Sequence, residues 1–150
     1  MFDKILVPLD CSKYAESSLN VAIKIAKKFN SKLFLINVIP KRSQYRRAGM
    51  TGKIRIKNVD NEITEDEIPK VCTNLLAKSE QTVTNEGIPV KTLLKEGHIV
   101  EEILKTVEEG EFDLVVIAAR GQSMIKNLLL GSVSSGVLRH ANCPVLVTKR

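Results

Sequence analysis

The sequence has no hydrophobic segment long enough to span a membrane and no recognisable export signal. No apolar run approaches the roughly 18 residues that a membrane-spanning helix needs. Residues 1–8 lack the basic and then apolar layout of a signal peptide, and they are typical of a strand. With 150 residues, 43% of them hydrophobic and 27% charged, the composition is that of a globular protein. We therefore expect one domain over residues 1–150, located in the cytoplasm and without membrane partners.

Cysteine is scarce, and its spacing excludes the usual metal and redox motifs. Cys11, Cys72 and Cys143 are far apart, with no Cys-x-x-Cys pair. An odd number of cysteines in a chain expected in the cytoplasm favours free thiols. Cys72 falls at an apolar helical position and is predicted to fill the core. No histidine directly adjoins these thiols in the sequence, and no cationic cluster is evident there that would lower their pKa. We predict no catalytic residue and no metal site.

Neither of the common phosphate-binding motifs occurs. The chain has no Gly-Lys-Ser/Thr of a P-loop and no Gly-x-Gly-x-x-Gly. Its last third instead holds a strand-like run over 113–119, then Gly121, nine residues, and Gly131-Ser132 at the start of a helix. Glycines let a phosphate approach the backbone, and a helix N-terminus offers N–H groups and the positive end of its dipole. This stretch predicts a phosphate site of another kind.

Strands and helices alternate along the chain. Continuous apolar runs predict five strands, and runs of this kind suit a sheet that is covered on both faces: 4–9, 33–38, 90–94, 114–118 and 144–148. The first helix carries an apolar stripe at helical spacing, formed by Ala15, Leu19, Ala22, Ile23, Ala26 and Phe29. Ser12 is a candidate N-cap, and Thr64-x-x-Glu67 is a candidate capping box for a later helix. The pattern predicts an α/β fold, a doubly wound open parallel five-stranded sheet with helices on both faces.

Residues 41–62 show no clear period and are predicted to form a flexible loop. The loop is strongly basic between 41 and 57, where no acidic residue occurs: Lys41, Arg42, Arg46, Arg47, Lys53, Arg55 and Lys57. Such a segment can be a solvated loop, a flap that orders over a ligand, or a surface for anions or nucleic acid. It contains one aromatic residue, Tyr45, and hence no platform for stacking bases, which argues against nucleic acid as a partner.

Ligands of doubly wound sheets bind at the carboxyl ends of strands, near the point where the strand order reverses. Three predicted strands end in Pro8-Leu9-Asp10, in Asn37-Val38 and in residues 117–121, while residues 131–134 open the last helix. Each piece also has a simple structural explanation. Asp10 can belong to a helix cap, Gly121 to a turn, and Gly131 to a break before a helix. Together, at these spacings, they predict a nucleotide site.

The chain resembles a single-domain universal stress protein of the ATP-binding kind over essentially its whole length. The resemblance lies in the opening residues 5–12, in the tail 143–147 and in a signature of Gly, two residues, Gly, nine residues, Gly and Ser or Thr. The chain has Ala118 at the first glycine of that signature, with Gly121, Gly131 and Ser132 in register. The resemblance implies a Rossmann-like fold of the adenine nucleotide alpha-hydrolase-like type. It also implies a homodimer that pairs through the C-terminal strand Val145–Thr148.

The resemblance further implies roles for individual residues. Asp10 would hydrogen-bond ribose, Val38 would meet adenine through its backbone, and the glycines and serines would surround ribose and phosphates. Arg120 either adds a cation near the phosphates or is a solvated loop residue. The predicted binding residues are Pro8, Leu9, Asp10, Val38, Ile117, Ala118, Arg120, Gly121, Gly131, Ser132, Val133 and Ser134.

Three functions follow from these observations. The first is a regulatory or signalling module that binds ATP, or else AMP or ADP, with Mg²⁺ or Mn²⁺ only alongside the nucleotide and at most slow hydrolysis. The second is a dimeric adaptor that binds no nucleotide, which Ala118 favours because its methyl group narrows the approach of a ligand. The third is anion or nucleic-acid binding through the basic segment 41–57.

Overall fold

The computed structural model describes residues 1–41, 53–54, 63–121 and 130–149, and its main feature is a parallel sheet. The sheet has five strands: β1 (Lys4–Pro8), β2 (Lys32–Ile39), β5 (Val90–Glu96), β6 (Leu114–Ala118) and β7 (Val145–Thr148). Their order in the sheet is β5-β2-β1-β6-β7, and all four neighbouring pairs are parallel. The predicted fold class is confirmed, because the five strands of the sheet are the five that the apolar runs indicated.

A second, antiparallel pair of strands was not predicted. It joins β3 (Lys53–Ile54) to β4 (Ile63–Thr64), and β3 falls within the segment that the sequence marked as a loop. Strands of two residues are too short to show an alternating pattern in the sequence. The rest of the predicted loop, and with it most of the basic residues of 41–57, lies outside the described residues.

Four α-helices accompany the sheet in the described part of the chain: α1 (Lys13–Phe29), α2 (Ile68–Asn85), α3 (Ile99–Gly110) and α4 (Ser132–His140). None of these helices is both long and apolar enough to cross a lipid bilayer. The predicted caps are confirmed. The Ser12 hydroxyl accepts the N–H of Ala15 at 3.3 Å, and Glu67 Oε2 accepts the N–H of Thr64 at 2.7 Å. The Thr64 hydroxyl also donates to Glu67 Oε2, at 3.0 Å, and the backbone and side-chain bonds from Thr64 lower the pKa of Glu67.

The core consists of two layers, one on each face of the sheet. Ile5 and Val7 of β1 pack with α1 and α2 on one face, whereas Leu6 packs with α3 and α4 on the other. Because both faces are covered, successive residues of a strand are all buried, which explains the continuous apolar runs. One residue of the predicted α1 stripe is exposed. Phe29, in the last turn of α1, has 42% of its surface accessible, and its ring packs edge-on against Phe2 with the centroids 5.3 Å apart.

The strand order reverses between β1 and β6. From β1 the chain crosses through α1 on one face to β2, and from β6 it continues to α4 on the other face. The two connections therefore leave the sheet in opposite directions, and a crevice opens between the carboxyl ends of β1 and β6.

Candidate functional site

A cavity of about 340 Å³ lies at this edge of the sheet. Its volume is within the range of small-molecule sites, roughly 300–1,000 Å³. The structure brings all twelve predicted binding residues to its wall: Pro8, Leu9, Asp10, Val38, Ile117, Ala118, Arg120, Gly121, Gly131, Ser132, Val133 and Ser134. Because the carboxyl ends of parallel strands share one edge, groups from distant parts of the sequence meet here.

Asp10 is held against the backbone of Gly121. Its Oδ1 accepts the N–H of Ser12 at 2.9 Å, which fixes the orientation of the carboxylate at the start of α1. Its other oxygen faces Gly121 so closely that a Cβ on Gly121 would lie less than 3.0 Å from Oδ2. Real Cβ atoms essentially never approach another atom so closely. Gly121 is therefore more than a turn residue, since the missing side chain makes room for the carboxylate.

The N-terminus of α4 forms another part of the wall. Its N-cap is Gly131, which has no side chain with which to cap the first turn. The first N–H groups of a helix have no acceptor within the helix, and here they belong to residues that line the cavity, Ser132 to Ser134. This end of α4 thus has the composition of an anion site.

The start of α4 is tied to the end of β6 by hydrogen bonds. The Gly131 N–H donates to the carbonyl oxygen of Ala119 at 2.6 Å, and the buried Ser134 hydroxyl donates to the same oxygen at 2.8 Å. Because its proton is used in this way, the Ser134 hydroxyl can offer a ligand only lone pairs. Ser132, by contrast, is exposed, so its side chain reaches solvent.

Ala118, the departure from the glycine signature, occupies an ordinary strand position. It pairs with Thr148 in the β6–β7 ladder, and it is not one of the residues with positive φ. An alanine at this position therefore causes no backbone strain. Its cost to a ligand is limited to the volume of one methyl group on the cavity wall.

Comparison with known proteins identifies a family for this chain. The model of the universal stress protein family matches residues 1–149. The chain belongs to the universal stress protein family. It is 28% identical to YxiE of Bacillus subtilis over 149 residues, which is 99% of this chain and 100% of the relative. It is also 30% identical to the universal stress protein MJ0577 of Methanocaldococcus jannaschii over 161 residues, covering 100% of this chain and 96% of the relative.

Solved structures of universal stress proteins share the fold. The structure of MJ0577 covers 100% of this chain and 97% of its own, with a TM-score of 0.81 and 27% identity. A universal stress protein in complex with cAMP has a TM-score of 0.69 at 20% identity, covering 98% and 96% of the two chains. One from Archaeoglobus fulgidus in complex with dAMP has a TM-score of 0.70 at 19% identity, covering 99% and 100%. The last two comparisons show a shared fold.

The cavity of this universal stress protein also has walls that were not predicted. They are formed mainly by apolar residues of β2, α2 and α3 and by the first residues after β1: Cys11, Ala15, Ile36, Asn37, Ile39, Pro40, Ile68, Cys72, Ile99 and Ile103. Val38 was predicted because ligands bind at the carboxyl ends of strands, and the same rule could have been applied to the residues that follow it, as far as Pro40. The α2 and α3 residues look like ordinary core positions in the sequence, so only the packing of the helices reveals them.

Two of these newly found wall residues are thiols. Cys72, predicted to fill the core, is buried as expected but also lines the cavity with Cys11. Burial, with smaller effects of Cys72 and Asp10, raises the pKa of Cys11 to about 11, and burial also raises the pKa of Cys72. Both thiols are therefore protonated near neutral pH. Among the residues that the structure describes, no three His, Cys, Asp or Glu side chains are grouped as metal ligands.

Proposed function

We propose that this universal stress protein is a cytoplasmic, single-domain regulatory or signalling module that binds an adenine nucleotide, namely ATP or its relatives ADP and AMP. The observation that carries the proposal is the meeting of the Asp10 carboxylate and the uncapped N-terminus of α4 at one cavity. Two proteins with this fold are known in complex with cAMP and dAMP, so the fold itself can hold an adenine nucleotide.

The cavity wall offers groups that are suited to bind the ribose, the phosphates and the adenine of a nucleotide. A carboxylate can accept hydrogen bonds from the two hydroxyl groups of ribose, so Asp10 is suited to bind the ribose. Phosphates suit the first turn of α4, where Gly131 allows close approach, and the Arg120 side chain on the same wall adds positive charge. The apolar side chains of Val38 and Ile117 suit the faces of adenine. Any Mg²⁺ or Mn²⁺ would enter with the phosphates.

We infer that hydrolysis is slow at most. The ionisable side chains among the described lining residues are Asp10, Cys11, Cys72 and Arg120. The thiols are held in the protonated form, and arginine stays charged, so neither can act as a general base near neutral pH. Asp10 is the remaining candidate base, and the proposal assigns its carboxylate to the ribose.

Equilibrium binding tests this proposal. Titration calorimetry with ATP, ADP and AMP from micromolar to millimolar concentration should give saturable binding, and nucleotide released on denaturation of the purified protein should match an adenine nucleotide by mass. Asp10→Ala should weaken binding, whereas Asp3→Ala, at an exposed aspartate outside the cavity, should not. If the folded protein binds none of the three, the proposal fails and the adaptor function takes its place.

We also propose that the protein is a homodimer that pairs through β7. This strand lies at the end of the five-stranded sheet, and Leu146 within it has 36% of its surface exposed. An apolar edge strand of this kind is a template for pairing with another strand. A second copy of β7 around a two-fold axis would satisfy the edge and cover Leu146.

A further inference from the structure

The cavity wall holds a pair of thiols that the proposed function does not use. Cys72 of α2 is 6% exposed and forms a small buried cluster with Ile68, and Cys11, in the turn after β1, packs against this cluster. Both cysteines line the cavity. A negative charge on Cys72 also contributes to the raised pKa of Cys11, an effect that weakens with distance. The two thiols are therefore neighbours on one wall, although they are far apart in the sequence.

Cys143, the third cysteine, lies in another part of the molecule. It packs against the apolar cluster on the α3 and α4 face of the sheet, and it is not among the described residues that line the cavity. Cys143 is thus a matched control for any reaction of the other two thiols.

Cys11 and Cys72 differ in exposure. Cys11 is partly exposed, whereas Cys72 is buried. A small oxidant that enters the cavity therefore reaches Cys11 first. A thiol that is oxidised to a sulfenic acid beside a second thiol condenses with it to a disulfide.

We propose that Cys11 and Cys72 are a redox-sensitive pair, which hydrogen peroxide converts to a disulfide that weakens nucleotide binding. The effect on binding rests on the nucleotide-binding function above. No redox motif marks the pair in the sequence, because only the packing of α2 against the turn after β1 brings the two thiols together.

The reaction has two steps. The Cys11 thiolate attacks one oxygen of the peroxide and the O–O bond breaks. The departing hydroxide takes up the proton that the thiol lost, which leaves a sulfenic acid and one water. The Cys72 sulfur then attacks the Cys11 sulfur, the S–S bond forms, and the S–O bond breaks. The leaving hydroxide takes the Cys72 proton as a second water, so two thiols have given two electrons to one peroxide. Because only the thiolate attacks, the raised pKa of Cys11 makes the first step slow near neutral pH.

Cys11 lies inside the turn that orients the Asp10 carboxylate. Asp10 Oδ1 accepts the N–H of Ser12 at 2.9 Å across Cys11, and Oδ2 lies against Gly121. A disulfide holds its two Cβ atoms about 3.5–4.5 Å apart, so it would fix the position of Cys11 relative to α2. Since the carboxylate is held on both sides, a shift of Cys11 displaces it from the position that the proposed function assigns to ribose.

The first experiment detects the disulfide without any nucleotide. The full-length protein is treated with hydrogen peroxide in mildly alkaline buffer, where a larger fraction of each thiol is ionised, and the remaining thiols are alkylated. Mass spectrometry of peptides under non-reducing conditions should find a cross-link between Cys11 and Cys72 in the wild type and in Cys143→Ala, and dithiothreitol should release it. Oxidation of the folded wild type that leaves Cys11 and Cys72 without a cross-link would overturn the inference.

The second experiment measures ATP binding by titration calorimetry before and after oxidation. Displacement of a charged hydrogen-bond acceptor should weaken binding about tenfold or more in the wild type and in Cys143→Ala, and dithiothreitol should restore it. In Cys11→Ala the dissociation constants of the peroxide-treated and untreated protein should agree within about threefold, because the thiol that reacts first is gone. Unchanged affinity of the cross-linked wild type would overturn the effect on binding. If the reduced wild type binds no adenine nucleotide, the proposed function fails and the effect on binding fails with it, whereas the cross-link still decides whether the pair is redox-sensitive.

Discussion

Replacing Gly121 by alanine should weaken nucleotide binding, because the new methyl group would displace the Asp10 carboxylate. The added Cβ would lie under 3.0 Å from Asp10 Oδ2, whereas ordinary contact begins at 3.4 Å. The carboxylate cannot simply rotate away, since its other oxygen accepts the Ser12 N–H at 2.9 Å. Either that hydrogen bond breaks or the loop after β6 moves.

The expected magnitude follows from these two possibilities. Overpacking by one methyl group costs about 1–3 kcal/mol, and a hydrogen bond to a charged group contributes about 1.5–3 kcal/mol. We therefore expect Gly121→Ala to lower the free energy of unfolding by about 1–3 kcal/mol in urea denaturation. Displacement of the carboxylate from ribose should raise the dissociation constant for ATP about ten- to a hundredfold in titration calorimetry, where each factor of ten corresponds to about 1.4 kcal/mol.

A double-mutant cycle with Asp10→Ala shows whether the carboxylate is the cause. Once Asp10 is alanine, the atom that a Cβ on Gly121 would strike is gone, so adding Gly121→Ala should weaken binding less than about threefold further. Groups in direct contact give such non-additive effects, whereas independent sites give additive ones. Full additivity of the two penalties, or wild-type affinity of Gly121→Ala, would refute the reasoning.

Three further predictions concern stability and assembly. Ser134→Ala should lower the free energy of unfolding, measured by urea denaturation, by about 1 kcal/mol, because it removes the buried hydrogen bond to the Ala119 carbonyl oxygen. That oxygen keeps its hydrogen bond from the Gly131 N–H, so the loss stays small. Unchanged stability would contradict this prediction. The pKa of the Cys11 thiol is near 9 in the unfolded chain and about 11 in the folded protein. Between these pH values the unfolded state binds fewer protons than the folded state. The free energy of unfolding should therefore fall as the pH rises from about 9 to about 11. Urea denaturation at several pH values should show a shallower fall for Cys11→Ala, and an identical slope would count against the assignment. Light scattering at micromolar concentration should show a dimer that Leu146→Glu dissociates. Leu138→Glu, at a leucine of α4 that is even more exposed, should leave the dimer intact, and a monomeric wild type would rule out the dimer.

The sequence predicted the sheet well because burial on both faces leaves a strong local pattern. The apolar run at Ile5, Leu6 and Val7 is a strand core in the structure, with no exposed surface on any of the three residues. The caps at Ser12 and Thr64 were predictable for a related reason, since capping depends on residues that are only a few positions apart. Phe29 was misassigned because helical spacing alone does not show how far a neighbouring sheet extends.

The cavity was predictable in part. Its glycines, Asp10 and the serines of α4 belong to a spacing that the sequence displays, and the structure brings them to one wall. Ile68 and Ile103 could not be assigned to it, because each belongs to an apolar stripe that is indistinguishable from core filling. Cys11 and Cys72 form no redox motif in the sequence, since nothing local shows that two thiols so far apart share one wall.

By itself, the sequence determined the order along the chain of the helices and of the five strands of the main sheet, the N-cap of α1, the capping box before α2 and the family. Each of these depends on local patterns or on residues at fixed spacing. Only the tertiary structure decided which atoms meet. The approach of Asp10 to Gly121, the use of the Ser134 proton by Ala119 and the packing of Cys11 against the cluster of Ile68 and Cys72 all arise where distant parts of the chain converge. Such contacts depend on the packing of both layers against the sheet, and no local pattern in the chain records that packing.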